Sequence, residues 1–335
     1  MLLMESYSKK FHNEDISSNT YLITGGAGFI GSNIVKYLIK YQAKKIIVLD
    51  NLSNGSYQNI EEFNTLQNFE FVKGDIRDFD LCKNIVSKVD FVTHQAALGS
   101  VPRSIQNPIM TNEVNVSGFL NILHAVKEQP RVKKMVYAAS SSTYGDSHSL
   151  PKIEGTEGKP LSPYAVTKAV NEMYAEVYSK VYNFHTIGLR YFNVFGPNQN
   201  PDNPYAAVIP IFCKTALENG IIKINGDGET SRDFTYVENA VQANILAMHS
   251  NKIVTHEVFN IACGEMTSLN QIVDILNRYI NVKLKVEFLP ERQGDIKFSL
   301  ADITKSKKLL EYVPDIAFDE GFVKTFQFYK ERTSK

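Results

Sequence analysis

From Tyr21 onward, short apolar runs rich in β-branched residues alternate with segments in which apolar residues recur at helical spacing. The apolar runs predict strands and are, in chain order, YLIT, IIVL, FEFVKG, FVTH and KMVYAA. The segments between them predict helices over 28–39, 79–86 and 108–128. Continuously apolar strands separated by helices are typical of a doubly wound parallel sheet that is covered on both faces. We therefore predict an α/β fold with a Rossmann-like parallel sheet.

The pattern changes in the second half of the chain. A long helix is predicted over 164–182, and the apolar segment FHTIGLRYFNVF after it predicts another strand. Beyond it, Pro and Gly cluster at 196–204 and 225–228, and helical patterns over 208–219, 237–250, 269–280 and 318–330 are linked by strand-like pieces such as IIKI and VKLKVEF. We expect a polar N-terminal extension over 1–18, a first domain over 19–190, and a smaller C-terminal α/β lobe over 191–335, with some chain returning to the first domain.

Composition and charge narrow the class of protein. Of the 335 residues, 43% are hydrophobic, and 36 Lys and Arg balance 36 Asp and Glu, which excludes disorder as the main state. Because the charges are scattered, we do not expect nucleic acid as a partner. No segment approaches the roughly 18 apolar residues of a membrane span, and the apolar start of the chain is too short for a signal peptide. We expect a cytoplasmic protein without membrane contact.

The cysteines argue against a metal centre and a disulfide framework. Cys82, Cys213 and Cys263 are odd in number and include no CxxC pattern and no His at metal-ligand spacing. We expect reduced thiols and no metal site.

A glycine-rich segment stands where the first strand should meet the first helix. In TGGAGFIGS, Gly25, Gly28 and Gly31 recur every three residues. Glycine there permits a tight turn, lets backbone N–H groups approach a pyrophosphate, and lets the helix pack closely on the strand. A glycine-rich turn could be an ordinary loop, but the strand before it and the amphipathic helix after it favour a dinucleotide site.

Acidic residues follow the second and third strands. Asp50 ends the second strand, 19 residues after Gly31, where a carboxylate can accept from both hydroxyls of an adenosine ribose and repels a 2′-phosphate. This position favours NAD over NADP. Asp75 and Ile76, after the third strand, are placed to border the adenine, although an Asp there could equally cap a helix.

A second candidate cluster combines tyrosine, lysine and serine. Tyr164 and Lys168 stand one helical turn apart and share a helix face, as do the Tyr/Lys pairs at 41/45 and 279/283. Position separates the three pairs, since the Tyr164 helix follows the strand KMVYAA and its run Ser140 to Ser142, and ligands bind at the carboxyl ends of such strands. A nearby ammonium and a cationic nicotinamide would both favour a phenolate that acts as a base. The alternative is a serine-rich surface turn followed by a packed tyrosine.

Several motifs carry a resemblance to a known family. They are TGGAGFIGS, GDIRD, HQAA, the serine run before YG, the Tyr164/Lys168 pair, RYFNVFGP, SRDFTYVEN and RQGD, spread from residue 21 to about 330. Together they resemble the extended short-chain dehydrogenase/reductase family, and within it the UDP-hexose 4-epimerases. The segments QAALGSVPRSI and FSLAD, with the order of the motifs, resemble most closely the bacterial UDP-N-acetylglucosamine 4-epimerases that feed surface-polysaccharide synthesis.

The resemblance implies roles for individual residues. The catalytic set would be Tyr164 as base, Lys168 as the group that lowers its pKa and binds ribose, and Ser140 and Ser142 as hydroxyls beside it. The implied NAD-binding residues are Gly25, Gly28, Phe29, Ile30, Gly31, Asp50, Asn51, Asp75, Ile76, Gln95, Ala96, Ala97, Asn115, Lys168 and Tyr191. The implied UDP-sugar-binding residues are Gly99, Ser100, Arg103, Ser141, Asn193, Ala207, Val208, Ile224, Asn225, Arg232, Arg292, Asp295 and Ser299. Arg232 and Arg292 would bind the pyrophosphate and Asp295 the uridine ribose, although each arginine taken singly could form a surface ion pair.

The implied reaction is epimerisation at C4 without net redox change. Tyr164 would take the proton of the 4-hydroxyl while the C4 hydride passes to NAD⁺. The transient 4-keto sugar, held through its nucleotide, would present its other face and take the hydride back from NADH. The implied partners are a UDP-sugar and, in a homodimer, a second copy of the chain.

Other activities of the family resemble this one but require residues that are absent. A nucleotide-sugar 4,6-dehydratase carries an Asp-Glu pair where this sequence has Ser141 and Ser142, and a UDP-glucuronate decarboxylase has a glutamate in that loop. A protein of a different class, a non-catalytic NAD-binding regulator, would be expected to have lost Tyr164 or Lys168, and both are present.

The identity of the sugar stays open at this point. In the 4-epimerases the position of Ser299 lies beside the C2 substituent, and a tyrosine there is associated with refusal of N-acetyl sugars. Serine leaves room for UDP-N-acetylglucosamine and UDP-N-acetylgalactosamine without forbidding UDP-glucose and UDP-galactose. A 2-acetamido uronic acid with its carboxylate near Arg103 is the main alternative, although Arg103 could equally be an exposed loop residue.

Overall fold

The computed structural model describes residues 6–203, 206–280, 283–291 and 297–333. In chain order its strands are β1 (Thr20–Thr24), β2 (Lys45–Asp50), β3 (Phe69–Lys73), β4 (Phe91–His94), β5 (Lys134–Ser140), β6 (Thr186–Tyr191), β7 (Val194–Phe195), β8 (Ile221–Asn225), β9 (Ser231–Arg232), β10 (Thr235–Tyr236), β11 (His256–Ile261), β12 (Thr267–Ser268), β13 (Lys285–Leu289) and β14 (Phe298–Ser299). Seven of them form one parallel sheet in the order β11-β6-β5-β4-β1-β2-β3. The predicted Rossmann-like α/β fold is confirmed.

Helices connect these strands. In chain order they are α1 (Phe29–Lys40), α2 (Phe79–Val86), α3 (Val101–Gln106), α4 (Pro108–Asn112), α5 (Phe119–Lys127), α6 (Pro163–Tyr182), α7 (Val208–Leu217), α8 (Val237–His249), α9 (Leu269–Ile280), α10 (Thr304–Leu310) and α11 (Phe318–Thr333). A π-helix, Glu113–Gly118, joins α4 to α5. The helix predicted over 108–128 is therefore a run of three helical segments.

Alternate side chains of the central strands enter two separate cores. In β1, Leu22 lies in a core that also contains Ile85 of α2 and Phe119 of α5. The next residue, Ile23, lies in a core with Ile34 of α1 and Ile245 of α8. Because successive strand residues point to opposite faces, both faces of the sheet need apolar cover, and helices supply it.

The strand at one edge of the sheet comes from the C-terminal half of the chain. β11 pairs in parallel with β6 from His256 and Thr186 to Ile261 and Tyr191. Its sequence, HEVFNI, contains polar residues at three of six positions and no continuous apolar run, so no strand was predicted there. Together with α8, which packs in the core behind β1, it returns part of the second half of the chain to the first sheet.

The remaining C-terminal segments form a smaller packed unit. β8 and β13 pair in parallel, and α7, α9 and α11 pack around them with Phe212, Ile222, Leu276 and Phe322 in their core. The short strands β12, β9 and β14 form a separate three-stranded sheet.

Residues 6–18, for which no structure was predicted, pack against the first domain. Tyr7 and Phe11 are buried. Phe11 stacks on Tyr37 of α1 with ring centroids 5.4 Å apart, and the Tyr7 backbone N–H donates to Glu238 Oε2 of α8 at 3.1 Å. The extension therefore covers the helix layer formed by α1 and α8.

Within the described residues, no helix is both long enough and apolar enough to cross a membrane. The three cysteines are free thiols, and burial raises the pKa of Cys82 and of Cys263 to about 12.

Candidate active site

The glycine-rich segment forms a narrow turn between β1 and α1. Gly25 adopts φ +69°, and a Cβ there would lie 2.6 Å from the backbone nitrogen of Ala96. A Cβ on Gly31 would lie 2.2 Å from the carbonyl oxygen of Gly25. Helix α1 begins directly after this turn with Gly28 as its N-cap. The turn and the helix N-terminus together present backbone N–H groups and a positive dipole end to the carboxyl edge of the sheet, as a pyrophosphate site requires.

Asp50 lies beside this turn and is held by backbone donors. Its Oδ2 accepts from the Ala27 N–H at 3.0 Å and its Oδ1 from the Leu52 N–H at 2.8 Å. Burial raises the pKa of the Asp50 carboxyl group, and these two hydrogen bonds oppose the rise. A small cavity of about 90 Å³ lies against Asp50, Asn51 and Ile76. The turn and this cavity fit the pyrophosphate and adenosine ribose of a dinucleotide.

Asp75 does not border that cavity. Its carboxylate is paired with Arg77, from which it accepts at 2.8 and 3.0 Å, and with Asn51 at 2.9 Å. The Arg77 side chain is the main reason that the pKa of Asp75 falls to about 2. The N-cap of α2 is Asp78, which accepts from the Leu81 N–H, so Asp75 does not cap that helix. The contact of Asp75 with the adenine stays a prediction, and its partner Asn51 lines the smaller cavity.

The serine run follows β5 at the same edge of the sheet. Ser140 ends the strand, and its hydroxyl oxygen accepts from the Ser142 hydroxyl at 2.9 Å and from the Ser142 N–H at 3.2 Å. These two bonds leave the Ser140 hydroxyl hydrogen to be donated elsewhere. The Tyr164 phenol lies close by, and the Ser140 side chain lowers its pKa against the larger rise that burial causes.

Tyr164 and Lys168 lie on the first turns of α6. Burial raises the pKa of the Tyr164 phenol, and the Ser140 side chain opposes this rise. Burial lowers the pKa of Lys168 to about 8, with Glu172 opposing that shift. The Lys168 Nζ donates to the Ala138 carbonyl at 2.7 Å and lies 5.9 Å from the centre of the Tyr164 ring. The structure thus brings the predicted tyrosine, lysine and serine together, with burial as the main influence on both pKa values.

A cavity of about 890 Å³ runs from the glycine-rich turn past this cluster. The predicted residues that line it are Gly25, Gly28, Phe29, Ile30, Gly31, Gln95, Ala97, Gly99, Ser100, Arg103, Ser140, Ser141, Tyr164, Lys168, Tyr191, Asn193 and Ala207. Asp50, Asn51, Ile76 and Ala96 line the smaller cavity next to it. Residues from both halves of the chain therefore meet in one cleft at the carboxyl edge of the sheet.

Other predicted site residues are not among those that line these two cavities. Among the described residues they are Asp75, Asn115, Ser142, Val208, Ile224, Asn225, Arg232 and Ser299. Asn115 is buried and binds the backbone of Leu98 through its Oδ1 at 2.8 Å. Ile224 is buried in the C-terminal core, and Asn225 donates to the Pro290 carbonyl at 3.0 Å. These side chains have structural partners here. The predicted Arg292 and Asp295 lie outside the described residues.

The backbone of Asp233 links Ser299 to the main cavity, and the Asp233 carboxylate is buried behind it. Asp233 is fully buried and accepts from the N–H groups of Cys263 at 2.9 Å and Gly264 at 3.0 Å, and burial raises its pKa to about 6. Its own N–H donates to the Ser299 carbonyl at 2.8 Å, and its carbonyl accepts from Asn193, which lines the cavity. Arg232 donates to the Ser231 carbonyl at 3.0 Å and the Lys297 carbonyl at 3.2 Å.

Several cavity residues were missed by the sequence analysis. They lie in the loop after β2, in the loop after β7 and on the C-terminal helices, and include Asn54, Gln58, Asn198, Gln199, Lys214 and Arg332. Polar loop residues outside a motif carried no signal, because their role depends on which loops the fold brings together. No group of three or more His, Cys, Asp or Glu side chains in the described ranges could hold a metal ion.

Comparison with known proteins places this cleft in context. A family model described as the NAD dependent epimerase/dehydratase family matches residues 21–262. A curated relative from Thermodesulfobacterium geofontis, named UDP-glucuronate 4-epimerase, is 37% identical over 320 residues, which cover 93% of this chain and 96% of the relative.

Solved structures with the same fold carry related names. One is the UDP-N-acetylglucosamine 4-epimerase from Methanobrevibacter ruminantium in complex with UDP-N-acetylmuramic acid, with 38% identity, a TM-score of 0.88, and coverage of 94% of this chain and 99% of that chain. Another is the Thermus thermophilus UDP-glucose 4-epimerase in complex with NAD, with 31% identity, a TM-score of 0.82, and coverage of 93% and 99%. The similarity therefore extends over nearly the whole chain and over several sugar specificities.

Proposed function

The chain belongs to the NAD-dependent epimerase/dehydratase family, and on that premise we propose that it interconverts UDP-N-acetylglucosamine and UDP-N-acetylgalactosamine by inverting carbon 4 of the sugar. The relative and the two solved structures described above are named as UDP-sugar 4-epimerases. This chain matches each of them over nearly its full length. The chain is accordingly a UDP-sugar 4-epimerase that uses NAD. The choice among UDP-sugars is the part that we propose.

The residues of the cleft fit NAD. The glycine-rich turn has no room for side chains at Gly25 and Gly31, and Asp50 places a carboxylate where the adenosine ribose would lie. When bound, NAD⁺ supplies the acceptor for the hydride that leaves C4 of the sugar, and NADH supplies the donor that returns this hydride to C4. Gly25, Gly31 and Asp50 would hold the adenosine half, and Lys168 the nicotinamide ribose.

Tyr164 is the residue that we propose to move the proton. Burial raises the pKa of its phenol and the Ser140 side chain opposes that rise, and the phenolate can take the proton of the 4-hydroxyl group and later return it. Lys168 is buried next to the ring, and its ammonium group favours the phenolate. Ser142 acts through Ser140, since its two bonds to the Ser140 oxygen leave the Ser140 hydroxyl hydrogen free to be donated to another group.

One observation carries the choice of an N-acetyl sugar, the small side chain at position 299. Ser299 is half-buried in β14 and pairs with Arg232 of β9. Its carbonyl binds the N–H of Asp233, whose own carbonyl binds the cavity residue Asn193. In the 4-epimerases that the sequence resembles, this position lies beside the C2 substituent, where a serine leaves volume for a 2-acetamido group that a larger side chain would fill. The neighbour of 38% identity named for UDP-N-acetylglucosamine supports the same choice.

The test is to incubate the purified enzyme separately with UDP-N-acetylglucosamine, UDP-glucose and UDP-glucuronic acid and to separate the products by chromatography. We expect the highest kcat/KM with UDP-N-acetylglucosamine. A higher kcat/KM with either other sugar would overturn the assignment of the substrate but not that of the reaction.

A 2-acetamido uronic acid is the second candidate substrate. Arg103 on α3 lines the main cavity, and its guanidinium donates to Asn54 Oδ1 at 2.7 Å. A guanidinium at the cavity wall suits a sugar carboxylate because it can donate two parallel hydrogen bonds. Conversion of the uronic acid form at a kcat/KM above that of UDP-N-acetylglucosamine, lost in Arg103→Ala, would favour this candidate.

We further propose that the enzyme is a cytoplasmic homodimer that pairs through α6. Val166, Met173, Val177 and Val181 recur at helical spacing on this helix and are each about half exposed or more. A continuous exposed apolar face of this kind is typical of a protein interface. Sedimentation of wild type and Val177→Glu tests the proposal, and a wild-type monomer at micromolar concentration would refute it.

A further inference from the structure

A closed ring of three side chains lies beneath the catalytic edge of the sheet. Asn244 Nδ2 donates to the Tyr191 hydroxyl at 2.7 Å, the Tyr191 hydroxyl donates to Gln95 Oε1 at 3.1 Å, and Gln95 Nε2 donates to Asn244 Oδ1 at 3.0 Å. Each of the three groups is therefore both a donor and an acceptor within the ring. The direction of the bonds fixes how the Gln95 amide and the Tyr191 hydroxyl are oriented.

Asn244 is the member of the ring that lies deepest. It is fully buried on α8, and its remaining capacity is used by the Ala240 carbonyl at 2.8 Å and the Thr93 hydroxyl at 3.0 Å. A buried amide costs free energy unless it is hydrogen-bonded, and here both its donors and its acceptor are satisfied. An apolar residue would fill this core position without that requirement, so the polar side chain calls for a reason other than packing.

The other two members of the ring reach the active site. Gln95 follows β4 and Tyr191 ends β6, the strands on either side of β5, and both side chains line the main cavity. The ring thus bridges the end of β5 beside Ser140, which pairs with Tyr191 in the sheet. The glycine-rich turn follows β1, and Asp50 ends β2 on the side of β1 away from β4. A dinucleotide bound at the turn and Asp50 would therefore extend its nicotinamide toward the ring.

We propose that Asn244 is a positioning residue, which holds Gln95 and Tyr191 as a fixed floor for the nicotinamide of the bound dinucleotide. The inference rests on the proposed function, in which the cofactor must stay in one place while the hydride leaves the sugar and returns to its other face. Loss of geometry at such a site typically costs up to about 100-fold in rate for a displacement of about 1 Å.

The same helix offers a matched control. Asn239 is also fully buried on α8, donates to the Ile316 carbonyl at 2.7 Å, and accepts from the N–H groups of Asp315 at 2.9 Å and Ile316 at 3.0 Å. These partners belong to the segment between α10 and α11 and do not line the two cavities next to the glycine-rich turn. Substitution of Asn239 therefore removes a similar set of buried hydrogen bonds and leaves the ring of Asn244, Tyr191 and Gln95 intact.

The experiment compares Asn244→Leu, Tyr191→Phe, the double variant and Asn239→Leu with wild type. The first readout is the rate at which bound NADH is released when excess NAD⁺ is added, followed by the fluorescence of NADH. We expect NADH release to be about tenfold faster in Asn244→Leu and in Tyr191→Phe than in wild type. The double variant should release NADH no faster than either single variant, and Asn239→Leu should release it at the wild-type rate. Equal release from Asn244→Leu and wild type, or equal acceleration in Asn239→Leu, would overturn the inference.

The second readout is turnover with UDP-N-acetylglucosamine. We expect kcat of Asn244→Leu to fall about 10- to 100-fold while KM stays within about twofold. Tyr191→Phe breaks the ring from the other side and gives the same test if Asn244→Leu fails to fold. A wild-type enzyme that converts no UDP-sugar, with the release pattern intact, would refute the proposed function and leave the positioning role standing.

Discussion

The backbone N–H of Tyr164 donates a 3.0 Å hydrogen bond to the hydroxyl oxygen of Ser104, a buried residue of α3. Ser162, the N-cap of α6, accepts from the Ala165 N–H of the same turn at 3.1 Å. The start of the helix that carries the proposed base is thus capped by one serine from within and by one from a neighbouring helix. Since Arg103 of α3 lines the cavity, the bond to Ser104 connects the cavity wall to the backbone of Tyr164.

We predict that Ser104→Ala lowers kcat by about 10- to 100-fold, because the Tyr164 backbone loses its external anchor. The matched control is Ser162→Ala, which removes a cap of the same helix turn. Each substitution should cost about 0.5–2 kcal/mol of stability. Steady-state kinetics and thermal unfolding of both variants provide the check, and an equal loss of kcat in Ser162→Ala would show that α3 has no special role.

Replacement of Tyr164 by Phe should abolish turnover while NAD and UDP binding stay nearly intact. The ring keeps its packing, and loss of a general base typically costs about 10²–10⁴-fold in rate. Tyr41→Phe and Tyr279→Phe are the controls, since Tyr41 donates to the Tyr7 carbonyl and Tyr279 accepts from Gln327. Comparable loss of kcat in either control would move the base away from Tyr164.

The same residue sets the expected pH dependence. Burial raises the pKa of the Tyr164 phenol, so the phenolate is the minor form at neutral pH and its fraction grows as pH rises. We expect kcat to increase with pH from about 6 to about 8. A kcat that falls over this range would indicate that the required form is the protonated phenol.

The enzyme should purify with NAD bound, and Asp50→Asn should weaken NAD binding and reduce the preference over NADP. A charge-assisted hydrogen bond is worth about 1.5–3 kcal/mol, or roughly 10- to 150-fold in affinity. Asp78→Asn is the control, because an Asn still caps α2 and the residue lines neither cavity next to the glycine-rich turn. Dinucleotide released on denaturation is assayed enzymatically, and NADP in place of NAD would contradict the role of Asp50.

Ser299→Tyr should suppress interconversion of the N-acetyl sugars far more than that of UDP-glucose and UDP-galactose. Overpacking a fixed pocket costs about 1–3 kcal/mol, or roughly 5- to 150-fold in the ratio of kcat/KM values. Ser299→Ala, which adds no volume, should leave that ratio unchanged. Measured NAD content guards against misfolding, and an unchanged ratio in Ser299→Tyr would place residue 299 away from the sugar.

The sequence predicted those parts of the molecule that depend on local pattern. The parallel strands β1 to β6 follow from their apolar runs, and the glycine-rich turn beside Asp50 follows from spacing within a short segment. The proximity of Tyr164, Lys168 and Ser140 also followed, because a strand end and the start of the next helix lie at one edge of such a sheet.

Features that depend on distant segments could not be read from the sequence. β11 has a mixed pattern, HEVFNI, and joins the sheet through pairing with β6. Asn244 looks like any polar helix residue, and its importance arises only because β4, β6 and α8 converge. In each case tertiary packing decided what the local pattern left open.

Central to the proposed function is that one active site removes the C4 hydride and returns it to the opposite face of the same sugar. The direct measurement is to incubate UDP-N-acetylglucosamine carrying deuterium at C4 with the purified enzyme and to determine the deuterium content of the UDP-N-acetylgalactosamine formed by mass spectrometry and NMR. We predict that the product retains the deuterium at C4 without added NAD. Replacement of that deuterium by hydrogen from solvent, or the absence of any C4 epimer, would contradict the claim.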